Sequence, residues 1–298
     1  MHSPRLAASG SHERPLTCRA SLIGRYPGRV RALVFSAGGM FGAWQAGVWS
    51  VLEGVYQPEL VVGASVGALH AWAVAARVPA TDLIERWRAL REFSLFTGAH
   101  SHHSAQQQLN HLCQELAEHR RPELPLGIVC TEWPALRPRL FCGPDLSWKH
   151  LVASCAVPFL LPPCEIDGQR YVDGGFMGAL PLWAAYEMGA TSILAIHVLP
   201  ILPWPMQLPL RCLRLLRSRR SWVSRVSVPT MLIGPPRRLG SWVESLVWNP
   251  ITIRRWIEQG IEEGRRWLAA VQRFAASGNH AGPTLRAGRA ADPLAGSP

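Results

Sequence analysis

Ser65 stands at the centre of Gly63-Ala64-Ser65-Val66-Gly67, a G-x-S-x-G pattern between an apolar run and an alanine-rich run. Small residues on both sides of a serine let the chain turn sharply from strand to helix and leave the hydroxyl exposed at the helix N-terminus. The helix dipole there favours negative charge developing nearby, so such a hydroxyl can act as the nucleophile of acyl transfer. The pentapeptide alone recurs in unrelated loops, and a serine in this position can also simply cap the helix. Its setting singles it out: Pro58 to Ser65 reads as a short buried strand, and Val66 to Val78 as a helix.

Two further segments have the chemistry that a nucleophilic serine needs. Ser36-Ala37-Gly38-Gly39-Met40-Phe41-Gly42 lies at another strand-to-helix junction. Backbone N–H groups of Gly38, Gly39 and Met40 can converge there on one point and hold an oxyanion. A phosphate-cradling loop is the competing reading, but no GKS or GKT follows, and Ala37 stands where the first glycine of G-x-G-x-x-G would be. An ordinary close-packed turn is the plainest alternative. Downstream, Asp173-Gly174-Gly175 follows an Asp167-Gly168 turn and the strand Gln169 to Val172. Two glycines after an aspartate keep side chains clear, so the carboxylate can approach another loop, accept the serine proton and act as a base whose pKa burial raises. Without Ser65, Asp173-Gly174 would read as a plain turn.

The elements that must position these residues alternate between strand and helix patterns, which predicts a mostly parallel sheet covered by helices. Strands are expected in the stretches Arg29 to Gly39, Pro58 to Ser65, Leu124 to Trp133, Arg137 to Gly143, Arg170 to Gly175, Thr191 to Leu199 and Ser227 to Gly234. An amphipathic helix is expected over Ile253 to Val271, with Trp256, Ile257, Ile261 and Leu268 on one side. Residues 1–28 and 273–298 read as flexible and disordered tails, which leaves 29–272 as a single catalytic domain. Residues 205–228 carry the pattern of a basic amphipathic helix. Leu208, Cys212, Leu215, Leu216, Trp222, Val223 and Val226 fall on one side and Arg211, Arg214, Arg217, Arg220 and Arg225 lie away from them. This marks a candidate surface for peripheral contact with anionic membrane, with packing on the protein's own core as the alternative.

Composition bounds the rest. The 298 residues are 48% hydrophobic and 17% charged, enough for one large domain with its own core. The formal net charge of +11 suits an anionic partner, although with Lys149 the only lysine it also fits a compositional bias toward arginine. Seven cysteines without a CxxC pair argue against a disulfide framework or a zinc site. The N-terminus has no continuous apolar stretch and the longest apolar run is broken by prolines, so neither a secretory signal nor a membrane span is expected. A cytoplasmic protein is the resulting expectation; charge alone leaves nucleic acid and acidic lipid surfaces both open as partners.

Taken together, the three segments resemble the patatin-like phospholipase family, bacterial type. ALVFSAGGMFGAWQAGV is similar to its glycine-rich oxyanion segment, VVGASVGAL to its nucleophile elbow, and the stretch from Ser154 to Ile196 to its catalytic-aspartate region. The resemblance is strong over residues 31–198 and continues more weakly to about 272. It implies a three-layer α/β/α fold with a mostly parallel central sheet, no cofactor and no metal, lipid and not nucleic acid as partner, and lipid acyl-ester hydrolysis by a Ser–Asp dyad. Ser65 would be the nucleophile, Asp173 the general base, and the amides around Gly38, Gly39 and Met40 the oxyanion hole. Ala37 departs from the family's usual glycine, and Phe41 from its usual basic residue.

Two other functions compete. A Ser–His–Asp triad would need a histidine after the acid, and only His197, in an expected core strand, and His280, in the tail, follow Asp173. A catalytically silent lipid-binding or membrane-scaffolding protein on the same fold is the second. The group His100, His102, His103 and His111 reads as a solvated connecting stretch, without the carboxylate partners of a metal site.

Overall fold

The computed structural model describes residues 28–90, 98–198 and 228–276. Seven expected strands form, with one short addition: β1 (Arg31–Phe35), β2 (Leu60–Ala64), β3 (Leu126–Trp133), β4 (Arg137–Cys142), β5 (Cys164–Ile166), β6 (Gln169–Val172), β7 (Ser192–Ile196) and β8 (Thr230–Ile233). They build one sheet in the order β5-β6-β3-β2-β1-β7-β8, with β4 also paired to β3. The central pairs β3–β2, β2–β1, β1–β7 and β7–β8 are parallel, whereas β4 and β6 run antiparallel to β3, and β5 antiparallel to β6.

The register around β3 brings two distant segments together. Val129 pairs with both Ala64 and Leu140, and Thr131 with both Val172 and Pro138. A strand has only two edges, so β4 fills one, while β2 and β6 share the other and approach from opposite directions. The residues that leave β2 and β6, Ser65 and Asp173, therefore meet at the gap beside Cys130.

The period-two alternation of strands sorts side chains between two faces. Leu33, Phe35, Val61, Ile128 and Leu194 belong to one buried cluster. Ala32, Val34, Leu60, Val62 and Ile193 belong to the other. Six described helices cover the first face: α1 (Gly42–Leu52), α2 (Val66–Ala75), α3 (Ala80–Ala89), α4 (Gly98–His119), α5 (Trp148–Cys155) and α7 (Pro250–Ala276). Among the described residues, α6 (Leu182–Glu187) alone covers the second, with Ala184 and Ala185 buried. The architecture is thus α/β/α with unequal outer layers.

Some expectations change. The histidine-rich stretch is not a loop but the start of α4, which buries Leu109, Cys113 and Leu116 against the core. Helix α7 buries Trp256 and Ile257, leaves Ile261 and Leu268 half-buried, and runs to Ala276, past the expected boundary at 272. Cys113, Cys130, Cys155 and Cys164 are free thiols, but Cys142 is disulfide-bonded. The expected amphipathic helix lies outside the described residues except for Val228. No described helix is long and apolar enough to cross a membrane.

Candidate active site

Ser65 links β2 to α2 with φ 55° and ψ −133°, a conformation costly for any residue but glycine. Backbone contacts hold it there. Its amide donates to Ser154 Oγ at 2.9 Å, and its carbonyl accepts from the Ala68 amide at 2.8 Å. The flanking glycines are required by close approach: a methyl at Gly63 would overlap the Gly67 carbonyl, and one at Gly67 would lie 2.6 Å from the Phe35 and Ser36 carbonyl oxygens.

Asp173 leaves β6 at the same gap, tied in by its main chain. Its amide donates to Ala156 O at 2.8 Å, and its carbonyl accepts from Thr131 Oγ1 at 2.9 Å. The Gly175 amide donates to its Oδ1 at 2.7 Å. Burial pushes the Asp173 carboxyl up to about 6, against the opposing pull of hydrogen bonds from the Ser65 side chain and the Gly175 and Phe176 amides. Ser154, on α5, stitches both halves of the site. Its hydroxyl donates to Val129 O at 2.7 Å while accepting from the Ser65 amide, and its carbonyl accepts from the Gly174 amide at 3.0 Å. Gly174 is packed so tightly that a methyl would overlap the Val129 carbonyl.

The Gly38-Gly39-Met40 segment ends in a 3-10 turn over Gly39–Phe41, with Gly39 at φ 54°. The Phe41 amide bonds to Gly38 O, whereas the Gly38, Gly39 and Met40 amides have no acceptor among the described residues. Gly39 and Met40 line the same cavity as Ser65. The two departures from the family pattern are absorbed in the packing. Ala37 is buried, and its methyl fills the space beside Gly175, where a second methyl would collide with it. Phe41 points into the core, edge-on to Trp256 at 5.0 Å and 84°.

The cavity has a volume of about 120 Å³ and an almost wholly apolar wall. That is roughly ten times the space one water needs. Leu83, Trp87, Leu109, Leu112, Leu116 and Leu161 form much of the wall. Neither this cavity, assembled from four helices, nor Ser154 was foreseen from the sequence.

A histidine that lines the same cavity as Ser65 is one the sequence did not single out. His70 lines the cavity, but Trp87 Nε1 donates to its Nε2 at 2.9 Å and its Nδ1 faces Gln45 Oε1 at 3.0 Å. Gln45 Nε2 in turn donates to Ser36 O at 2.9 Å. The chain of donors fixes the proton on Nδ1, and burial drives the His70 pKa down to about 3. Both nitrogens are occupied, so His70 ties α3, α2 and α1 to the end of β1 and has no lone pair left to serve as a base. His70→Leu is expected to cost about 2–5 kcal/mol, because Gln45 Oε1 and Trp87 Nε1 lose buried partners. Chemical denaturation measures it; turnover per folded molecule should stay within about tenfold of wild type. Unchanged stability with abolished turnover would make His70 the base.

His197 lies immediately after β7, half-buried, with its amide bonded to Ile233 O. His111 is exposed on α4; the side chains of His100, His102 and His103, and all of His280, fall outside the described residues. No group of three metal-ligating side chains occurs among the described residues.

The sequence model of the patatin-like phospholipase family matches residues 33–186. Among curated proteins, patatin-like phospholipase domain-containing protein 6 of mouse (Mus musculus) is 28% identical over 193 residues, covering 57% of this chain and 14% of that protein. The human (Homo sapiens) protein matches equally, with 13% of its length covered. The chain thus spans about a seventh of these relatives. Among solved structures, VipD from Legionella pneumophila is 14% identical with a TM-score of 0.49, covering 82% of this chain and 67% of that one. Human GIVD cytosolic phospholipase A2 is 9% identical with a TM-score of 0.48, covering 87% and 62%.

Proposed function

The chain belongs to the patatin-like phospholipase family, and from that premise we propose that it is a serine hydrolase of lipid acyl esters working through Ser65 and Asp173. What carries this reading is the convergence of the two residues on one gap beside an apolar cavity. In the reading, Asp173 takes the Ser65 proton as Oγ attacks the ester carbonyl carbon. The resulting oxyanion is held by the amides of Gly38, Gly39 and Met40. Collapse breaks the ester bond, the leaving alcohol takes the proton back from Asp173, and an acyl-serine remains. Water then attacks that acyl group, giving its proton to Asp173, which passes it to Ser65 Oγ as the bond to the acyl carbon breaks, so that the fatty acid leaves and both residues are restored. The acyl chain occupies the cavity between α2, α3 and α4, and the α2 dipole supports charge at Ser65. No metal enters any step.

The direct test is covalent. A fluorophosphonate probe should label Ser65, mapped by peptide mass spectrometry, in competition with a lipid ester; labelling elsewhere would defeat the assignment. A second expectation follows from the Asp173 carboxyl. With a pKa raised to about 6, it is protonated and unable to accept a proton below that pH. The kcat/KM for a soluble ester should therefore fall about tenfold per pH unit below about 6 and reach a plateau above it. A rate that stays flat well below that pH would exclude Asp173 as the base.

A further inference from the structure

Of the seven large apolar side chains exposed among the described residues, four belong to segments around the cavity, while Val55, Tyr186 and Leu232 lie elsewhere. Phe159 is 88% exposed, Trp242 43%, Val243 44% and Ile251 76%. Phe159, Trp242 and Val243 adjoin the cavity through their chain neighbours, and Ile251 lies in the first turn of the helix whose Trp256 packs against Phe41. Phe159 sits in the turn between Val157 and Leu161, both of which line the cavity. Trp242 and Val243 precede Ser245 and Leu246, which line it from the other side, and Ile251 opens α7. Phe159 is held with φ 69° by bonds from the Leu160 and Leu161 amides to Val157 O, and its ring lies T-shaped to Trp133 at 6.4 Å. A bulky residue in the left-handed region is costly, and here no burial within the chain offsets it. Trp256, by contrast, anchors this rim from inside, under Phe41.

The charges on the Gly234 to Arg255 part of this rim are mostly positive. Between Gly234 and Arg255 the chain carries Arg237, Arg238, Arg254 and Arg255 against the single carboxylate Glu244. All four arginines are exposed, and none forms a salt bridge among the described residues, although Arg255 lies near enough to Glu244 to help lower its pKa. Apolar residues that can enter hydrocarbon, surrounded by cations that can reach phosphates, match an anionic bilayer better than a protein surface.

We propose that Phe159, Trp242, Val243 and Ile251, with Arg237, Arg238, Arg254 and Arg255, dock the cavity entrance on an anionic phospholipid surface. None of these residues belongs to the 205–228 stretch of the sequence. The docking gives the hydrolase reading its route to aggregated substrate, and it rests on that reading only for its purpose, since binding is measured without turnover. Its mechanism is simple: the apolar side chains enter the acyl boundary while the arginines contact lipid phosphates, so a lipid can pass into the cavity without crossing water.

Flotation of full-length Ser65→Ala protein, which leaves vesicles intact, is the test. Vesicles of phosphatidylcholine alone are compared with vesicles that also contain phosphatidylglycerol, at low and high salt. Partitioning should favour the anionic vesicles and weaken with salt. It should fall by about tenfold or more in Trp242→Ser/Val243→Ser/Ile251→Ser, and likewise in Arg237→Gln/Arg238→Gln/Arg254→Gln/Arg255→Gln. Phe159→Ser, at a site with almost no packing to lose, should lower it severalfold and guards against a folding artefact. The same substitutions in the Ser65 protein should leave hydrolysis of a monomeric short-chain ester unchanged, which separates docking from chemistry. Equal flotation by wild type and variants would overturn the proposal, as would equal binding to both vesicle types. A wild-type dimer that the triple variant converts to monomer, with flotation unchanged, would assign the surface to self-association instead.

Discussion

Ser65→Ala is expected to lower kcat/KM for a soluble acyl ester by roughly 10⁴-fold or more, with the folded structure intact. The size of the effect follows from the role: without the hydroxyl there is no covalent intermediate, and only the oxyanion donors and substrate binding remain to accelerate attack by water. The structural neutrality follows from the contacts. Ser65 is held by its amide on Ser154 Oγ and its carbonyl on the Ala68 amide, and both bonds survive loss of the side chain. Alanine meets the same φ of 55° at no greater cost than serine. Steady-state kinetics with an esterase substrate, beside circular dichroism of the same preparation, checks both halves. Retained activity at more than a few per cent would remove Ser65 as nucleophile. It would leave the lipid-binding alternative as the better account of the cavity.

The parts of this site that could be read from sequence are those where backbone crowding demands small residues. Gly63, Gly67 and Gly174 each sit where a methyl would meet a carbonyl, so a glycine pattern marks each place. The strands were legible for the same local reason, because β2 and β7 are short apolar runs bounded by turns. What stayed hidden depends on chain separation. Ser154 acts on Val129 and Ser65, 25 and 89 residues away, and a serine in an apolar helix announces no partner. Helix α4 was hidden differently: its buried Leu109, Cys113 and Leu116 are interleaved with histidine, glutamine and asparagine, which blurs the apolar stripe. In the sequence Phe41 stands only as a departure from the family's usual basic residue. Only the packing against Trp256 reveals that it serves the core.

Asp173→Asn should lower activity nearly as much as Ser65→Ala, and yet make the protein more stable. The loss, about 10³–10⁴-fold, reflects a base that can no longer accept a proton while its neighbours stay in place. Asn keeps an oxygen for the Gly175 amide now bonded to Oδ1, and the main-chain bonds to Ala156 and Thr131 do not involve the side chain. The gain comes from linkage. The folded carboxyl titrates at about 6 against 3.8 for an unperturbed one, chiefly because burial disfavours the charged form. Below 3.8 both folded and unfolded chains hold the proton, and the wild type carries no penalty. As pH rises through the folded pKa, the native state must bury a charge that the unfolded chain keeps in water, and stability is lost. Two pH units correspond to about 3 kcal/mol, of which unmatched hydrogen bonding of the Asn amide gives some back, leaving about 2 kcal/mol above pH 6. Denaturant titrations of both proteins should therefore diverge between about pH 3.8 and 6, keep a constant gap above it, and leave the wild type equal or slightly more stable in acid. A constant difference at every pH would mean that Asp173 is not a buried carboxyl held ready to ionise. A variant both inactive and destabilised above pH 6 would assign Asp173 to structure instead of proton transfer. The opposite result would mean that the fold spends stability at this position to keep a carboxylate within reach of Ser65.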